Sequence, residues 1–572
     1  MAFQVSPGIN VTEQDLTTVV PNVATTIGAV AGGFQWGPCL ERVQISSEND
    51  LVELFGKPDA NTFTWFWTAA NYLAYANNLW VVRNVGTAAK NAVVGDTDAG
   101  TAVTVLNKDS YDSITFTDQL FVAKYPGALG NSLKIQAIDS NGWGDASINA
   151  LFLANFDRAP GTSTDVGNAG GSEDEMHILV IDEDGLWTGT PGYILEKHAF
   201  VSKASDAKKI DGATNYVVNV MRNESKYAYV GLVTKFTENS SGTIVPAGTA
   251  KAGTTFSTFD SSTASEAIVG GSLSLGVSDD AQTDALLQAS YALYTTPEVI
   301  DITLLLGGAS STTTGRWIVD NIASVRKDCM AFVSPLQASV VNNPGGEVTA
   351  LIADNTALGS SSYAVMDSAW KYQYDRYRDV FMYVPMNGDI AGLCARTDYT
   401  NDAWWSPAGL NRGTIKNIVK LSWEATKANR DTMYPISINP TITVTGAGVV
   451  LWGDKTMQVV PSAFDRINVR RLFIVLEKAI SIAAKSMLFE FNDEFTRAQF
   501  VNMVSPFLRD VQGRRGITDF KVVCDSSNNT GQVIDTNNFV GDIYIKPARS
   551  INFIQLNFIA ARTDVSFSEI GG

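Results

Sequence analysis

The chain has 572 residues, and at about 150 residues per domain that length implies roughly three or four domains. It is 45% hydrophobic, 10% aromatic and 18% charged, a globular composition too apolar for a disordered chain. Lys and Arg total 42 against 59 Asp and Glu, a net charge of -17, which argues against nucleic-acid binding because neutralising phosphates needs a local excess of cations.

Two further counts prune the enzyme classes. There are two histidines, His177 and His198, and four cysteines, Cys39, Cys329, Cys394 and Cys524, with no CxxC pair. A zinc site built from His and Cys has almost no ligands to draw on. Scattered cysteines also read as reduced core residues rather than a disulfide framework, which points to synthesis in a reducing cytoplasm. Met1 to Val20 has no basic stretch followed by an apolar one, so no signal peptide is expected. No run of 18 or more apolar residues exists, so no membrane-spanning helix is expected either.

In chain order, Ile9 and Val11 alternate with Asn10 and Thr12 after the Ser6-Pro7-Gly8 turn, the period of a half-buried strand. Such a strand needs a sheet to pair with. Residues 22–95 carry a strand at Thr25 to Val30, a Gly/Pro loop, a helix near Phe63 to Tyr75 and a strand at Leu79 to Arg83. This alternation predicts an α/β layer. From about 96 to 270 Gly, Ser, Thr, Asp and Asn become frequent, and short strands (Leu133 to Ile138, His177 to Ile181, Tyr227 to Leu232) are separated by turn clusters, which predicts a β-rich insertion. Regular character then returns, with a helix at Asp280 to Leu293 and a strand at Val299 to Leu306. A helix at Trp317 to Lys327, with Ile318, Ile322 and Val325 on one face, precedes a strand at Cys329 to Val333. Leu472, Leu476, Ile480 and Ala483 fall at helical spacing, as do Phe500, Val501, Val504 and Leu508. Strands come next at Phe520 to Cys524 and Asp542 to Ile545; Ser550 to Phe558 is strand-like, and Val565 and Phe567 repeat the alternation at the end of the chain. No repeat of 20 to 50 residues is visible.

Catalytic templates fit poorly. Phe55-Gly56-Lys57-Pro58 lacks the earlier Gly and the Ser/Thr of a phosphate loop, and in Gly453-Asp454-Lys455-Thr456 the aspartate would repel phosphate. There is no GxSxG elbow, and His177 and His198 read as structural. The acidic blocks Glu173-Asp174-Glu175 and Asp182-Glu183-Asp184 lack the continuing ligands of a calcium loop and read as solvated hairpin ends. Aromatic clusters (Phe63, Trp65, Phe66, Trp67; Tyr372, Tyr374, Tyr377; Trp404, Trp405) suit core or interface packing better than a sugar platform. No catalytic residue, cofactor site or metal site is therefore expected.

Several segments nevertheless resemble one family. They include Ser6-Pro7-Gly8-Ile9, Gly33-Phe34-Gln35-Trp36-Gly37-Pro38, Leu54-Phe55-Gly56, Leu79-Trp80-Val81-Val82-Arg83 and Tyr125-Pro126-Gly127-Ala128-Leu129-Gly130-Asn131. More specific are Val325-Arg326-Lys327-Asp328-Cys329, Lys371-Tyr372-Gln373-Tyr374-Asp375, the runs Asp389 to Asp398, Ser406 to Gly413 and Phe464 to Phe473, and Pro547-Ala548-Arg549-Ser550-Ile551. Over residues 1–95 and 325–572 the chain resembles the tail sheath proteins of contractile-tailed bacteriophages, the T-even type above all.

The resemblance implies a non-enzymatic structural subunit of the virion, assembled in the host cytoplasm. It would stack as hexameric rings around a tail tube and contract to drive the tube through the host envelope. The implied partners are further copies of the chain, the tail tube protein, and the baseplate and tail terminator proteins, with neither nucleic acid nor membrane insertion. The expected fold is multidomain α+β: mixed α/β core domains, a β-rich inserted outer domain and extended terminal arms. Its divisions are an N-terminal arm (1–21), a middle α/β domain (22–95 with 275–405), the outer domain (96–274), a polymerisation domain lining the tube (406–560) and a C-terminal arm (561–572). In this reading Ile9 and Val11, and Val565 and Phe567, lie on arm strands that join a neighbour's sheet. Asp465, Arg466, Arg470 and Arg471 form either intersubunit ion pairs or an internal network. A carbohydrate-binding or carbohydrate-cleaving surface protein is the alternative from another class, and the sheath of a phage-derived bacteriocin or secretion apparatus is the nearer one.

Overall fold

The computed structural model describes residues 20, 23–95, 100–143, 150–237, 245–259, 268–552 and 555. The arm positions Ile9, Val11, Val565 and Phe567 lie outside the described residues. The chain is α+β with several separate sheets, and it divides into two units, one of residues 24–400 and 407–461 and one of residues 1–23, 401–406 and 462–572.

The larger unit is built on a six-stranded sheet whose spatial order is Ala364–Met366, Met330–Val333, Leu304–Leu306, Gly28–Gly33, Leu79–Asn84 and Arg42–Ile45. The first five strands run parallel and Arg42–Ile45 closes one edge antiparallel. Strands of such a sheet are covered on both faces, which is why Gly28–Gly33, Leu304–Leu306 and Met330–Val333 are buried at every position. Helix Phe63–Leu73 lies on this sheet with Trp65, Phe66, Trp67 and Tyr72 buried. Two glycines make the fit possible: a Cβ on Gly28 would stand 2.7 Å from the Tyr72 ring, and one on Gly32 would stand 2.4 Å from Trp65. The first aromatic cluster is thus core packing, and the rings occupy the space left by absent side chains.

The expected strand at Val299 to Leu306 shrinks to Leu304–Leu306, and Val299 is exposed. The helix expected at Trp317 to Lys327 runs from Thr312 to Arg326 but contains a π-helical stretch, Val319–Ala323. The wider turn rotates the C-terminal end of the helix, so Ile318 and Ile322 are buried while Val325 is 66% exposed. Arg326 takes the inward place instead, donating to the Tyr294 and Ile300 carbonyls at 2.6 and 2.9 Å.

Residues 93–272 carry two antiparallel sheets. One has the order Val269–Ser272, Leu133–Ile138, Glu175–Asp182, Tyr193–Ser202; the other has Val93–Gly95, Gln119–Ala123, Ala228–Val230. Here the acidic blocks depart from expectation. Asp174 and Asp182 are fully buried and Glu175 nearly so. Asp174 accepts from Ser163 and Ser202, Asp182 from Ser132, Trp187 and Thr188, and Glu175 pairs with Arg158 at 3.0 Å. These carboxylates tie loops to strand ends, because a buried carboxylate must find donors and short Ser and Thr side chains supply them.

The smaller unit packs two long helices, Ile467–Ala484 and Glu494–Gly513, against a hairpin of Ile517–Val523 and Asp542–Pro547. The periodic residues face inward as expected: Leu472, Leu476, Ile480 and Ala483 on one helix, Phe500, Val504 and Leu508 on the other. Each fully buried side chain of this size contributes about 1.5–3 kcal/mol. Ser550, Ile551, Asn552 and Gln555, within the stretch expected to be strand-like, lie outside any strand, and Ile551 is 81% exposed.

Candidate functional site

His177 is buried, stacked on Phe156 at 4.1 Å, with Nε2 3.0 Å from the Arg158 carbonyl and Nδ1 accepting from the Phe200 amide. Burial holds its pKa below the ordinary value. His198 contacts Glu196 at 3.1 Å. The Glu196 oxygen that His198 contacts also accepts from the Ser225 hydroxyl at 2.7 Å. Lys57 donates to the Trp187 carbonyl at 3.2 Å, and Asp454 and Thr456 are buried, so the two Gly-Lys turns are structural. Among the described residues no group of three or more His, Cys, Asp or Glu side chains is arranged to hold a metal ion, and no helix is long and apolar enough to cross a membrane.

The charged run sits at the start of the Ile467–Ala484 helix. Asp465 and Arg466 are partly exposed and 3.6 Å apart. Arg470 and Arg471 are buried at 6% and 4% exposure, and the Arg470 guanidinium lies 3.9 Å from the centre of the Phe464 ring. Asn468 donates to the Trp404 carbonyl at 3.4 Å, while the Trp404 indole donates to the Arg514 carbonyl at 3.1 Å. The run is therefore divided between an inner pair and a half-exposed pair.

The feature of this unit most suited to assembly is the hairpin. Phe520 and Val522 pair across the strands with Ile545 and Ile543, and all four pack on the helices. The opposite face carries Lys521 across from Tyr544, and the exposed pair Asp519–Lys546 at 2.9 Å. It is a two-stranded sheet, so each strand keeps an outer edge with no ladder partner among the described residues. Such edges present rows of free amides and carbonyls, and a ribbon this narrow is marginally stable alone. The segment between the two helices displays Leu488, Phe489 and Phe491 at 63, 104 and 84% exposure, and Phe495 in the first turn of the second helix is 70% exposed. Contiguous apolar exposure of this kind marks an interaction surface. Sequence periodicity missed it because Leu488 to Phe495 fits neither helix pattern, although three phenylalanines among Glu490, Asp493 and Glu494 were visible.

The sequence has relatives across its whole length. It is 34% identical to the tail sheath protein of Enterobacteria phage T4, covering 99% of both chains, and 33% identical to that of Vibrio phage KVP40, again covering 99% of both. The chain belongs to the phage tail sheath protein family. The tail sheath protein of Salmonella phage ViI is 31% identical over 100% of this chain and 98% of that one. Residues 279–457 match the phage tail sheath protein central domain and residues 459–561 the phage tail sheath C-terminal domain. Solved sheath structures share the fold. A sheath tail protein from Listeria innocua superposes with a TM-score of 0.52 at 12% identity, covering 92% of this chain and 96% of that one. The sheath of an extracellular contractile injection system, in its contracted state, gives 0.50 at 13%, covering 98% and 99%. As a sheath protein the chain is a structural component of the virion tail.

The aromatic clusters are divided between core and surface. Trp404 is buried in the core of the smaller unit, and Tyr377 packs edge-on against Phe66 at 5.6 Å. Tyr372 and Tyr374, with Phe381 and Tyr383 on the neighbouring strand, form a ladder on the outer face of the sheet Val380–Pro385, Trp370–Asp375, Lys420–Leu421.

Proposed function

We propose that this sheath subunit polymerises as stacked hexameric rings around a tail tube and contracts by exchanging one packing of subunits for another, driving the tube through the host envelope. The observation that carries the reading is the hairpin Ile517–Val523/Asp542–Pro547, whose two edges have no ladder partner among the described residues. Strand addition supplies backbone hydrogen bonds along an edge while alternate side chains set the register. Arm strands bearing Ile9 and Val11 at one end, and Val565 and Phe567 at the other, complete this layer in neighbouring copies. Tethers of that kind hold subunits together while their bodies move between discrete packings.

In this reading residues 96–274 form the outer domain, 22–95 with 275–405 the middle domain, and 406–560 the polymerisation domain facing the tube, of which 407–461 group with the larger unit and 462–560 with the smaller. Asp465 and Arg466, being half exposed, form ion pairs with a neighbour, while Arg470 and Arg471 hold the helix start from inside. The tube protein, baseplate and tail terminator are the further partners, assembly takes place in the host cytoplasm, and no catalysis or bound fuel is involved. Electron microscopy of the purified chain tests the reading. The full chain is expected to give hollow cylinders, and chains lacking residues 1–19, which spares the buried Val20, or 561–572 to stay monomeric. Normal cylinders from both truncations would refute the arm role.

A further inference from the structure

Strand Trp370–Asp375 turns its polar side chains inward and its rings outward. Lys371, Gln373 and Asp375 are buried, while Tyr374 is 45% exposed. Across the sheet Tyr374 stands opposite Phe381, and Tyr372 lies between Tyr383 on one side and Lys420 on the other. Ring centres are 5.2 Å apart for Tyr374 and Phe381, 5.6 Å for Phe381 and Tyr372, and 4.7 Å for Tyr372 and Tyr383. Four rings thus make one continuous surface, with Phe381 51% exposed. Cross-strand ring pairs stabilise a sheet on either face, so they do not account for the outward placement. Exposed aromatic surface of this extent marks a place where another protein surface binds.

The rim of this surface is apolar and cationic. Val380 and Val419 are exposed, and the Lys420 ammonium lies 4.9 Å from the centre of the Tyr372 ring. Two nearby charges are already matched: Asp379 accepts from the Tyr374 hydroxyl at 2.7 Å, and Arg376 pairs with Glu48 at 2.6 Å. Lys420 makes no ion pair among the described residues. The complement of such a surface is an exposed apolar loop that carries a carboxylate, and residues 183–193 have that composition. Leu186 and Tyr193 are 58% and 55% exposed. Of the acidic block there, Asp182 is buried and Glu183 pairs with Lys134 at 3.1 Å. Asp184 is exposed and makes no ion pair among the described residues. Residues 93–272, which hold the loop, contain 22 Asp and Glu against 12 Lys and Arg, an acidic surplus that draws a cationic surface towards it.

We propose that the aromatic face docks on the loop of residues 183–193 of a second copy of the chain. Leu186 and Tyr193 then cover the rings, and Asp184 pairs with Lys420. Both surfaces are exposed within one copy, so neither covers the other there. The contact is of the head-to-tail kind: each copy offers the aromatic face to one neighbour and the loop to another, which propagates into a ring or a helix. The inference rests on the polymerisation proposed above and names one contact of it. Interfaces of this make-up concentrate their binding in a few covered aromatic groups, while the charge pair sets orientation and salt sensitivity.

The test uses the full chain with p-benzoylphenylalanine in place of Phe381, polymerised from an equal mixture of unlabelled and heavy-isotope-labelled protein and then irradiated. Mass spectrometry of the cross-linked peptides is expected to join position 381 to residues 183–193, in pairs that combine a labelled with an unlabelled chain. Lys420→Glu and Asp184→Lys, both at exposed positions, should each unfold at the wild-type urea midpoint and raise the critical concentration for cylinders about tenfold. The double variant Lys420→Glu/Asp184→Lys should recover most of that loss. The wild-type critical concentration should also rise with NaCl more steeply than that of Lys420→Glu. Cylinders in which position 381 joins other residues, or residues of its own copy only, overturn the proposal and leave polymerisation standing. So do equal critical concentrations in the wild type and the single variants, or a double variant no better than either. Failure of the full chain to form cylinders, with no cross-link between copies, overturns polymerisation and this contact together.

Discussion

The ammonium of Lys371 lies 2.9 Å from Oδ2 and 3.0 Å from Oδ1 of Asp389, and neither side chain meets solvent. The pair is completed by neighbours rather than by water. Lys371 also donates to the Lys416 carbonyl at 3.2 Å, Tyr75 donates its hydroxyl to Asp389 at 3.1 Å, and that hydroxyl accepts from the Lys416 amide at 2.6 Å. Burial lowers the Lys371 pKa and raises that of Asp389, each held back by the charge of the other. Removing one partner leaves the other charge buried and unpaired. Lys371→Met and Asp389→Asn should each destabilise the chain by about 3–5 kcal/mol, while Lys371→Met/Asp389→Leu together should cost clearly less than the sum. Urea unfolding midpoints check this; additive losses would show that the two groups are independent.

A second buried carboxylate behaves differently because, among the described residues, no ion pair answers it. Asp367 accepts from the Ser334 hydroxyl at 2.5 Å and from the Ala369 amide at 3.3 Å, and Ser334 in turn accepts from the backbone and side-chain nitrogens of Asn387. Burial, countered by these bonds and reinforced by Asp389, raises its carboxyl from 3.8 to about 8. A raised folded-state value means that the folded chain keeps a proton which the unfolded chain releases above pH 3.8. The contribution is therefore full below that pH and is lost as pH climbs towards 8, by up to about 1.4 kcal/mol per pH unit. Asp367→Asn keeps the shape without the proton. Its stability should exceed that of the wild type at pH 8 and vary less between pH 5 and 8, as read by denaturant titration at several pH values. Parallel curves for the two chains would contradict this.

Glycine substitution probes how tightly the first aromatic cluster is fitted. A methyl group on Gly32 would fall 2.4 Å from ring carbons of Trp65, and both lie in a core without spare volume. Gly32→Ala should cost about 1–3 kcal/mol or more through overpacking, and pairing it with Trp65→Leu should recover part of the loss. A Gly32→Ala chain with an unchanged thermal midpoint would mean that the helix Phe63–Leu73 shifts freely over the sheet.

The contrast between these sites explains what the amino-acid pattern revealed. Strands with uniform burial, such as Leu304–Leu306 and Met330–Val333, and helices with a single apolar stripe, such as Ile467–Ala484, were legible because hydrophobicity alone places them. Strand Trp370–Asp375 inverts the usual code: Lys371, Gln373 and Asp375 point inward, while Tyr372 and Tyr374 look outward. The sequence analysis placed no strand there, and the inward set is held by hydrogen bonds to residues outside the strand, Gln373 to Asn71 and Lys371 to Asp389. The π-helical turn at Val319–Ala323 escaped for a similar reason, since nothing local announces one extra residue. The assembly edges could be inferred only from the family likeness. An edge without a ladder partner among the described residues is a property of what lies beside a strand, and the strands Ile517–Val523 and Asp542–Pro547 have ordinary sequences.

Exposed side chains should affect assembly and leave folding alone, which makes Phe489 and Phe491 the sharpest probes of the smaller unit. They are 104% and 84% exposed between the two long helices, so neither contributes to the core formed by Leu472, Phe500 and Leu508. Replacing both by Ser removes apolar surface from water-facing positions, and such changes fall within about 0.5 kcal/mol in stability. The Phe489→Ser/Phe491→Ser chain should therefore unfold at the wild-type midpoint but polymerise less readily, with a raised critical concentration for cylinder formation by light scattering. Loss of stability would place the rings in the fold itself. Cylinders forming at the wild-type concentration would assign the exposed phenylalanines to a surface other than the one joining copies of the subunit.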